Sequence, residues 1–94
     1  MIRREGIKVM LSGPVTLANA TRVLEEGRQH LAEGARTVDF GEVTEMDSAA
    51  LALALAWLRE ARAAKRALDF ANLPEAMRTL SRLYGVENLL SEKA

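Results

Sequence analysis

The pattern of apolar and polar residues in the first third of the chain predicts a strand followed by a helix. Residues 7–11 are rich in apolar and β-branched side chains and end at the Ser-Gly-Pro turn signal of residues 12–14. Over residues 20–31, apolar side chains recur at helical spacing with charged residues between them. We expect Thr16 to cap this helix and Gly34 to end it.

The middle of the chain predicts a second short strand and then a loop. Residues 36–40 contain β-branched and aromatic side chains and end at Gly41. Residues 42–47 are mostly polar or acidic, so we expect them to form a loop that leads into the next helix.

Residues 51–56 alternate between leucine and alanine, a pattern that on its own resembles a strand. Alanine is depleted in strands and is the strongest helix former, and the apolar pattern continues to Ala61, too far for a typical strand. We therefore predict a helix from residue 48 or 49 to about residue 65, with Asp47 or Ser48 as its N-cap. Because its leucines fall on more than one face, the start of this helix is expected to be widely buried.

The C-terminal third predicts a short strand over residues 67–71 and a last helix. Pro74 suits the first position of that helix, and Gly85 suits its end. One side of the helix is expected to face the core through Met77, Leu80, Leu83 and Tyr84. Residues 86–90 are expected to close the fold, and residues 91–94 to fray.

Strands and helices therefore alternate, which predicts a single α/β domain over residues 1–94 with right-handed crossovers. The pattern leaves open an extra antiparallel edge strand that begins at Ile2 or Ile7. The longest apolar run has ten residues, well below the roughly 20 of a membrane-spanning helix, and no signal peptide is recognisable. We expect a soluble, cytoplasmic protein without direct membrane insertion.

Composition excludes several kinds of chemistry. The chain has no cysteine, which rules out disulfides, cysteine zinc sites and thiol nucleophiles, and its 13 basic and 13 acidic residues cancel, which argues against a general nucleic-acid binder. A triad of His30, Asp39 and Ser48 would lack the Gly-x-Ser-x-Gly elbow, and a cation site from Asp39, Glu42 and Asp47 is disfavoured. No glycine-rich phosphate loop is present, so we expect no catalytic set, no metal and no cofactor.

The junction between the second strand and the second helix is the best candidate for function. Ligand and partner sites of α/β folds often lie beyond the carboxyl ends of strands. Ser48 at a helix N-terminus suits a phosphate acceptor, because backbone N–H groups and the helix dipole favour an anion there. The simpler interpretation is that Asp47 and Ser48 only cap the helix.

A cluster of basic residues lies near the end of the same helix, namely Arg59, Arg62, Lys65 and Arg66. The simplest interpretation is a solvated face, and contact with a phosphate or an acidic partner is the alternative.

The order of elements and residues 38–43 and 46–51, which read Val-Asp-Phe-Gly-Glu-Val and Met-Asp-Ser-Ala-Ala-Leu, resemble the STAS domain family (sulfate transporter and anti-sigma factor antagonist). The resemblance covers nearly the whole chain. It implies a small mixed sheet of four or five strands with helices mainly on one face, and a protein-binding module rather than an enzyme. In the anti-sigma factor antagonists of this family a partner kinase phosphorylates the serine of the motif, which corresponds to Ser48.

Residues 49–55 and 80–90 resemble the STAS subunit of the Mla phospholipid-transport ABC system. This resemblance implies a cytoplasmic subunit that binds and supports the ATPase subunit of the transporter at the inner membrane. The expected contact residues are Glu42, Thr44, Glu45, Asp47, Ser48, Ala49, Arg59 and Arg62. The alternative is an anti-sigma factor antagonist that is switched by phosphorylation of Ser48.

Overall fold

A computed structural model describes residues 1–90, and these form one mixed sheet with three α-helices. The strands are β1 (Ile2–Glu5), β2 (Lys8–Val15), β3 (Thr37–Met46) and β4 (Asp69–Ala71). The helices are α1 (Ala20–Ala32), α2 (Ser48–Ala63) and α3 (Glu75–Leu83), followed by a 3₁₀ turn at Glu87–Leu89. The predicted α/β class is confirmed, and the expectation that residues 91–94 fray lies outside the described residues.

The strands are neighbours in chain order, which places the helices together. β1 pairs antiparallel with β2, so the edge strand that the pattern left open begins at Ile2. β2, β3 and β4 are parallel, and right-handed crossovers between them put α1 and α2 on the same face of the sheet. Alternate residues of the strands point into the core beneath α1 and α2, and α2 packs against both α1 and α3.

The close approach of α1 to α2 depends on a glycine. Trp57 on α2 is completely buried, and its indole Nε1–H donates to the carbonyl oxygen of Leu24 on α1 at 3.1 Å. A Cβ atom at Gly27 would lie 2.4 Å from Cζ2 of that indole, far inside van der Waals contact. The glycine therefore allows the helix backbone to lie directly on the tryptophan ring.

The Asp39 side chain, on β3, binds the turn that follows β4. It points to the face of the sheet opposite its neighbours Val38 and Phe40, which face the core. Its carboxylate accepts from the Gly41 N–H at 2.7 Å and from the Asn72 amide at 3.1 Å, and it pairs with Lys8 Nζ at 3.0 Å. Burial of this carboxyl opposes its ionisation, but these three partners outweigh burial and hold the pKa of Asp39 below its usual range. Asn72 lies in the left-handed region with a φ of 54°, a conformation that asparagine tolerates, and the carboxylate binds its side chain there.

Two predicted strand ends are wrong, because β2 and β3 continue by pairing with each other. The pairs Ser12–Glu42 and Val15–Met46 extend the ladder through the Gly-Pro signal and through the segment expected to be a loop. Register shifts between Met10 and Ser12 and between Gly13 and Pro14 absorb the mismatch, and Gly13 adopts a φ of 78° there. Residues 42–46 are therefore strand.

Helix ends differ from the predictions at two places. Asn19, not Thr16, is the N-cap residue of α1. Its side chain makes no capping bond to the helix and instead closes the preceding turn, accepting from the Thr16 N–H and donating to the Pro14 carbonyl. Gly34 follows the end of α1 as expected, and Pro74 is the N-cap residue of α3 rather than its first helical residue.

The core-facing side of α3 is narrower than its apolar pattern predicts. Met77 is fully buried and Leu80 is partly buried. Leu83 is 73% exposed and Tyr84 is 59% exposed, so their expected place in the core is wrong. α3 packs against α2 and the 3₁₀ turn, and this contact does not cover the side chains at its C-terminal end.

Replacing Gly27 with alanine should destabilise the fold. Alanine is a better helix former by about 1 kcal/mol, so without the indole contact Gly27→Ala would be stabilising. Because the new methyl group overlaps Trp57, we expect the free energy of unfolding to fall by about 1–3 kcal/mol in urea denaturation. Gln29→Ala, on the exposed face of α1, is the control and should shift it by less than about 0.5 kcal/mol. A more stable Gly27→Ala protein would contradict this account of the helix packing.

The Asp39 carboxylate should make stability depend on pH. Its folded pKa lies below its unfolded value of about 3.9, so its contribution is fully present above that value and is lost as the pH falls through the folded pKa. We expect Asp39→Asn to lower the free energy of unfolding by about 1–3 kcal/mol near neutral pH. Urea denaturation should show this difference shrinking below about pH 4. A difference that stays constant down to about pH 2 would mean that ionisation of Asp39 is not its source.

Candidate functional site

Asp47 connects the start of α2 to the loop between β2 and α1. One carboxylate oxygen accepts from the Ala49 N–H at 2.8 Å, which caps α2. The other accepts from the Leu17 N–H at 3.0 Å. Asp47 or Ser48 was predicted as the N-cap of α2, and the structure shows that it is Asp47. The same side chain also holds the backbone of Leu17 in place.

Ser48 is the first residue of α2 and is exposed. The adjacent Asp47 supplies the cap, so the Ser48 side chain is not needed to begin the helix. A hydroxyl at this position faces solvent at the positive end of the α2 dipole. It is therefore accessible to a partner or to a modifying enzyme.

An open apolar groove of about 520 Å³ runs beside Ser48 between α1 and α2. Leu17 stands at its rim with 80% of its surface exposed. The groove is lined by Leu17, Ala20, Leu24, Asp47, Ser48, Ala49, Ala52, Leu53 and Ala56. Apart from Leu53, the α2 wall consists of small side chains, so the helix backbone lies close to the open space.

An ion-pair cluster lies one helical turn past the groove. The Arg28 guanidinium donates to both carboxylate oxygens of Glu60, at 2.8 and 2.6 Å, and also bonds Glu25. The bonds from Arg28 lower the pKa of Glu60. This cluster joins α1 to α2, so together with the Trp57 contact it sets the width of the groove.

The acidic residues expected near Ser48 lie on the last part of β3 rather than in a loop. Glu42, Thr44 and Glu45 are all exposed there. Glu42 is paired with Arg3 of β1, with 3.5 Å between the charged groups. Because that pairing offsets its charge, Glu45 and Asp47 contribute most of the negative charge at this end.

Arg59 and Arg62, the basic residues expected at the site, lie on the same face of α2 as Ser48 but near the opposite end of the helix. Arg59 is eleven residues after Ser48 and Arg62 fourteen, which return to nearly the same side of a 3.6-residue helix. At 1.5 Å per residue they lie about 16 and 21 Å away. A contact that includes all three must run along most of α2.

Within residues 1–90, the structure does not bring together the side chains of a catalytic triad or of a metal site. The Asp39 carboxylate is occupied by Gly41, Asn72 and Lys8, so it forms no triad with His30 and Ser48. His30 is half-buried, and its Nδ1 is buried. Within residues 1–90 no three histidine, cysteine or acidic side chains are grouped as a metal site would need. No helix in that range is long and apolar enough to cross a membrane.

The α1 side of the groove was not identified from the sequence. Leu17 carries no periodic signal, because it precedes the helix and reaches its position only through Asp47. The α2 wall did carry a signal. Ala49, Ala52 and Ala56 recur at spacings of three and four residues, which marks one face of a helix with small side chains.

Comparison with known proteins identifies both a family and a fold. A family model described as Mlab, STAS domain, matches residues 2–91. No curated protein matches the chain. The match to the family model confirms the resemblance seen in residues 38–43 and 46–51.

Solved structures of anti-sigma factor antagonists share the fold. The unphosphorylated form of SpoIIAA is similar with a TM-score of 0.72 and 17% identity, and the match covers 100% of this chain and 87% of that one. The phosphorylated form of SpoIIAA from Bacillus is similar with a TM-score of 0.70 and 18% identity, and the match covers 100% of this chain and 90% of that one. A putative anti-sigma factor antagonist from Thermotoga maritima is similar with a TM-score of 0.76 and 13% identity. That match covers 98% of this chain and 83% of the other. At these identities the likeness concerns the fold alone.

Removing the Asp47 carboxylate should loosen both segments that it joins. We expect Asp47→Ala to lower the free energy of unfolding by about 1–2 kcal/mol, since it removes a helix cap, and to increase amide exchange at Leu17. Asp47→Asn keeps an oxygen that can accept from the Ala49 N–H, so its free energy of unfolding should fall by less. Denaturation and hydrogen–deuterium exchange measure the two effects. Unaltered exchange at Leu17 in the alanine variant would refute the bridging role.

Proposed function

The chain belongs to the STAS domain family, and from this premise we propose that it is a non-catalytic subunit of an Mla-type phospholipid ABC transporter. STAS domains are generally binding modules without catalysis, and the matching family model is of the Mlab type. The proposed partner is the ATPase subunit of the transporter, which would hold the chain on the cytoplasmic side of the inner membrane.

The observation that carries the proposal is the open groove beside Ser48. Its lining is apolar and its rim includes the exposed Leu17, whose side chain would gain by leaving water. Small residues on α2 allow a helix of the partner to come close, in the manner of an apolar helix face laid in a groove. The groove is formed by groups fixed in place by Asp47 and Trp57, so little ordering is needed on binding.

Charge can orient the partner on this surface. The end at Asp47 and Glu45 is acidic, and Arg59 and Arg62 add positive charge along the same helix. A partner surface with basic groups at one end and acidic groups at the other would match this layout. The mechanism is steric and electrostatic and includes no covalent step.

Ser48 also leaves open the signalling alternative, in which a kinase phosphorylates an anti-sigma factor antagonist. Its exposure suits a phosphoacceptor. A phosphoryl group would add about two negative charges next to the Asp47 carboxylate. A bulky, hydrated dianion at the edge of the apolar groove would oppose close packing of a partner there. Mass spectrometry after incubation with candidate kinases and ATP tests this alternative.

Enlarging Ser48 should disrupt binding to the ATPase. We expect Ser48→Trp to weaken the affinity of the full chain for the purified ATPase subunit at least about tenfold, because a central interface position would be filled by the indole. Leu17→Ser tests the groove without added bulk and should weaken binding several-fold, by loss of an apolar contact of about 1 kcal/mol or more. Calorimetry or surface plasmon resonance measures both.

Gln29→Trp is the matched control, since it adds the same indole on the exposed face of α1 away from the groove. It should bind like the wild type. If Ser48→Trp and Leu17→Ser also bind like the wild type, the proposed surface is wrong. If the wild-type chain does not bind the ATPase at all but is phosphorylated on Ser48, the signalling alternative replaces the transport proposal.

A further inference from the structure

Four basic residues, here called the basic pole, gather at the end of the molecule away from Ser48. They are Arg36, Arg62, Lys65 and Arg66, and all are exposed. Arg36, Lys65 and Arg66 line one open cavity of about 420 Å³ where α1 and α2 end and β3 begins. Ser48 follows the other end of β3, which spans ten residues or about 30 Å. Of these four residues only Arg62 also belongs to the surface proposed for the ATPase, and the function proposed at Ser48 does not use Arg36, Lys65 or Arg66.

The charges of the basic pole are not neutralised by nearby acids in the described part of the chain. Arg36, Arg62 and Lys65 take part in no ion pair within residues 1–90. The acidic residues nearest along the chain have other partners. Glu33 pairs with Arg4, Asp39 with Lys8 and Glu60 with Arg28, and Asp69 accepts from the Thr37 hydroxyl. A chain with zero net charge thus keeps a locally positive surface.

The floor of the cavity argues against a small anion held deep inside it. α1 and α2 both end here, so their last carbonyl groups and the negative ends of their dipoles point into this region. The Arg66 guanidinium already satisfies one of these carbonyls, that of Leu31, at 3.1 Å. The remaining cationic side chains extend outward, where a broad anionic surface can meet them without approaching the carbonyls.

An exposed apolar residue adjoins the basic pole. Ile7 is 52% exposed in the turn between β1 and β2, and its carbonyl accepts from the Arg36 N–H at 2.7 Å. Cationic side chains beside an isolated aliphatic one are typical of surfaces that rest on anionic membranes, where the charges meet lipid phosphates and the apolar group enters the headgroup layer. Nucleic acid offers phosphates but no such layer.

We propose that the basic pole, with Ile7, docks on a bilayer containing anionic phospholipid. Each basic residue near such a surface increases partitioning about fivefold, so the loss of two should decrease it about 25-fold. Docking through this end would leave Ser48 and the groove facing away from the bilayer and free for a protein partner. The contact is peripheral, and no part of it needs to cross the membrane.

The test is co-sedimentation of the full chain with vesicles of phosphatidylcholine alone or with about one third phosphatidylglycerol. We expect binding only to the anionic vesicles, reversal by high salt, and a loss of about 25-fold in Arg36→Gln/Lys65→Gln. Arg22→Gln/Arg59→Gln removes the same charge from residues outside the cavity and should keep most of the binding. Ile7→Ser should weaken binding several-fold without any change in charge.

Several outcomes would overturn the proposal. Equal binding to both kinds of vesicle, or equal loss in the two double variants, would exclude a specific role for the basic pole. Saturable binding of inorganic phosphate in calorimetry without vesicle binding would identify a free-anion site instead. Tighter binding to a DNA duplex than to the vesicles at the same salt would identify nucleic acid. None of these results depends on whether the ATPase binds at Ser48.

Discussion

One carboxylate determines the shape of the surface at Ser48. Asp47 accepts a backbone N–H from its own helix and another from Leu17, thirty residues earlier in the chain. The first bond caps α2, and the second holds the loop before α1 against the start of α2. The apolar groove exists because both bonds are made by the same side chain. The packing of Trp57 on Gly27 then maintains the spacing of α1 and α2 farther along.

The elements that could be predicted from sequence are those with strong local patterns. α2 was identified despite its strand-like alternation, because alanine favours helices and the pattern is long. The length of β2 and β3 could not be predicted, since their second halves exist only through pairing with each other across register shifts. The exposed end of α3 was missed for a related reason. Amphipathic spacing shows which side chains share a face but not how far the neighbouring elements cover that face.

For the candidate site, the sequence indicated its centre and its α2 wall but not the side formed by α1. Asp47 and Ser48 follow from capping rules and from the family motif, which depend on neighbours in the chain. Leu17 and Ala20 join the site through a contact between distant segments, which no local pattern encodes. The charge layout became clearer in the structure too. Pairing with Arg3 offsets Glu42, while the basic residues at the opposite end stay unpaired within residues 1–90.

The central claim is that a protein partner covers the start of α2 beside the groove. The chain contains no cysteine, so Ser48→Cys and Gln29→Cys each provide a single labelling site. The most direct measurement is the rate of maleimide labelling of each variant with and without the purified ATPase subunit. The account predicts that the ATPase slows labelling at position 48 by at least about tenfold and leaves position 29 unchanged. Equal labelling rates at position 48 with and without bound ATPase would contradict it.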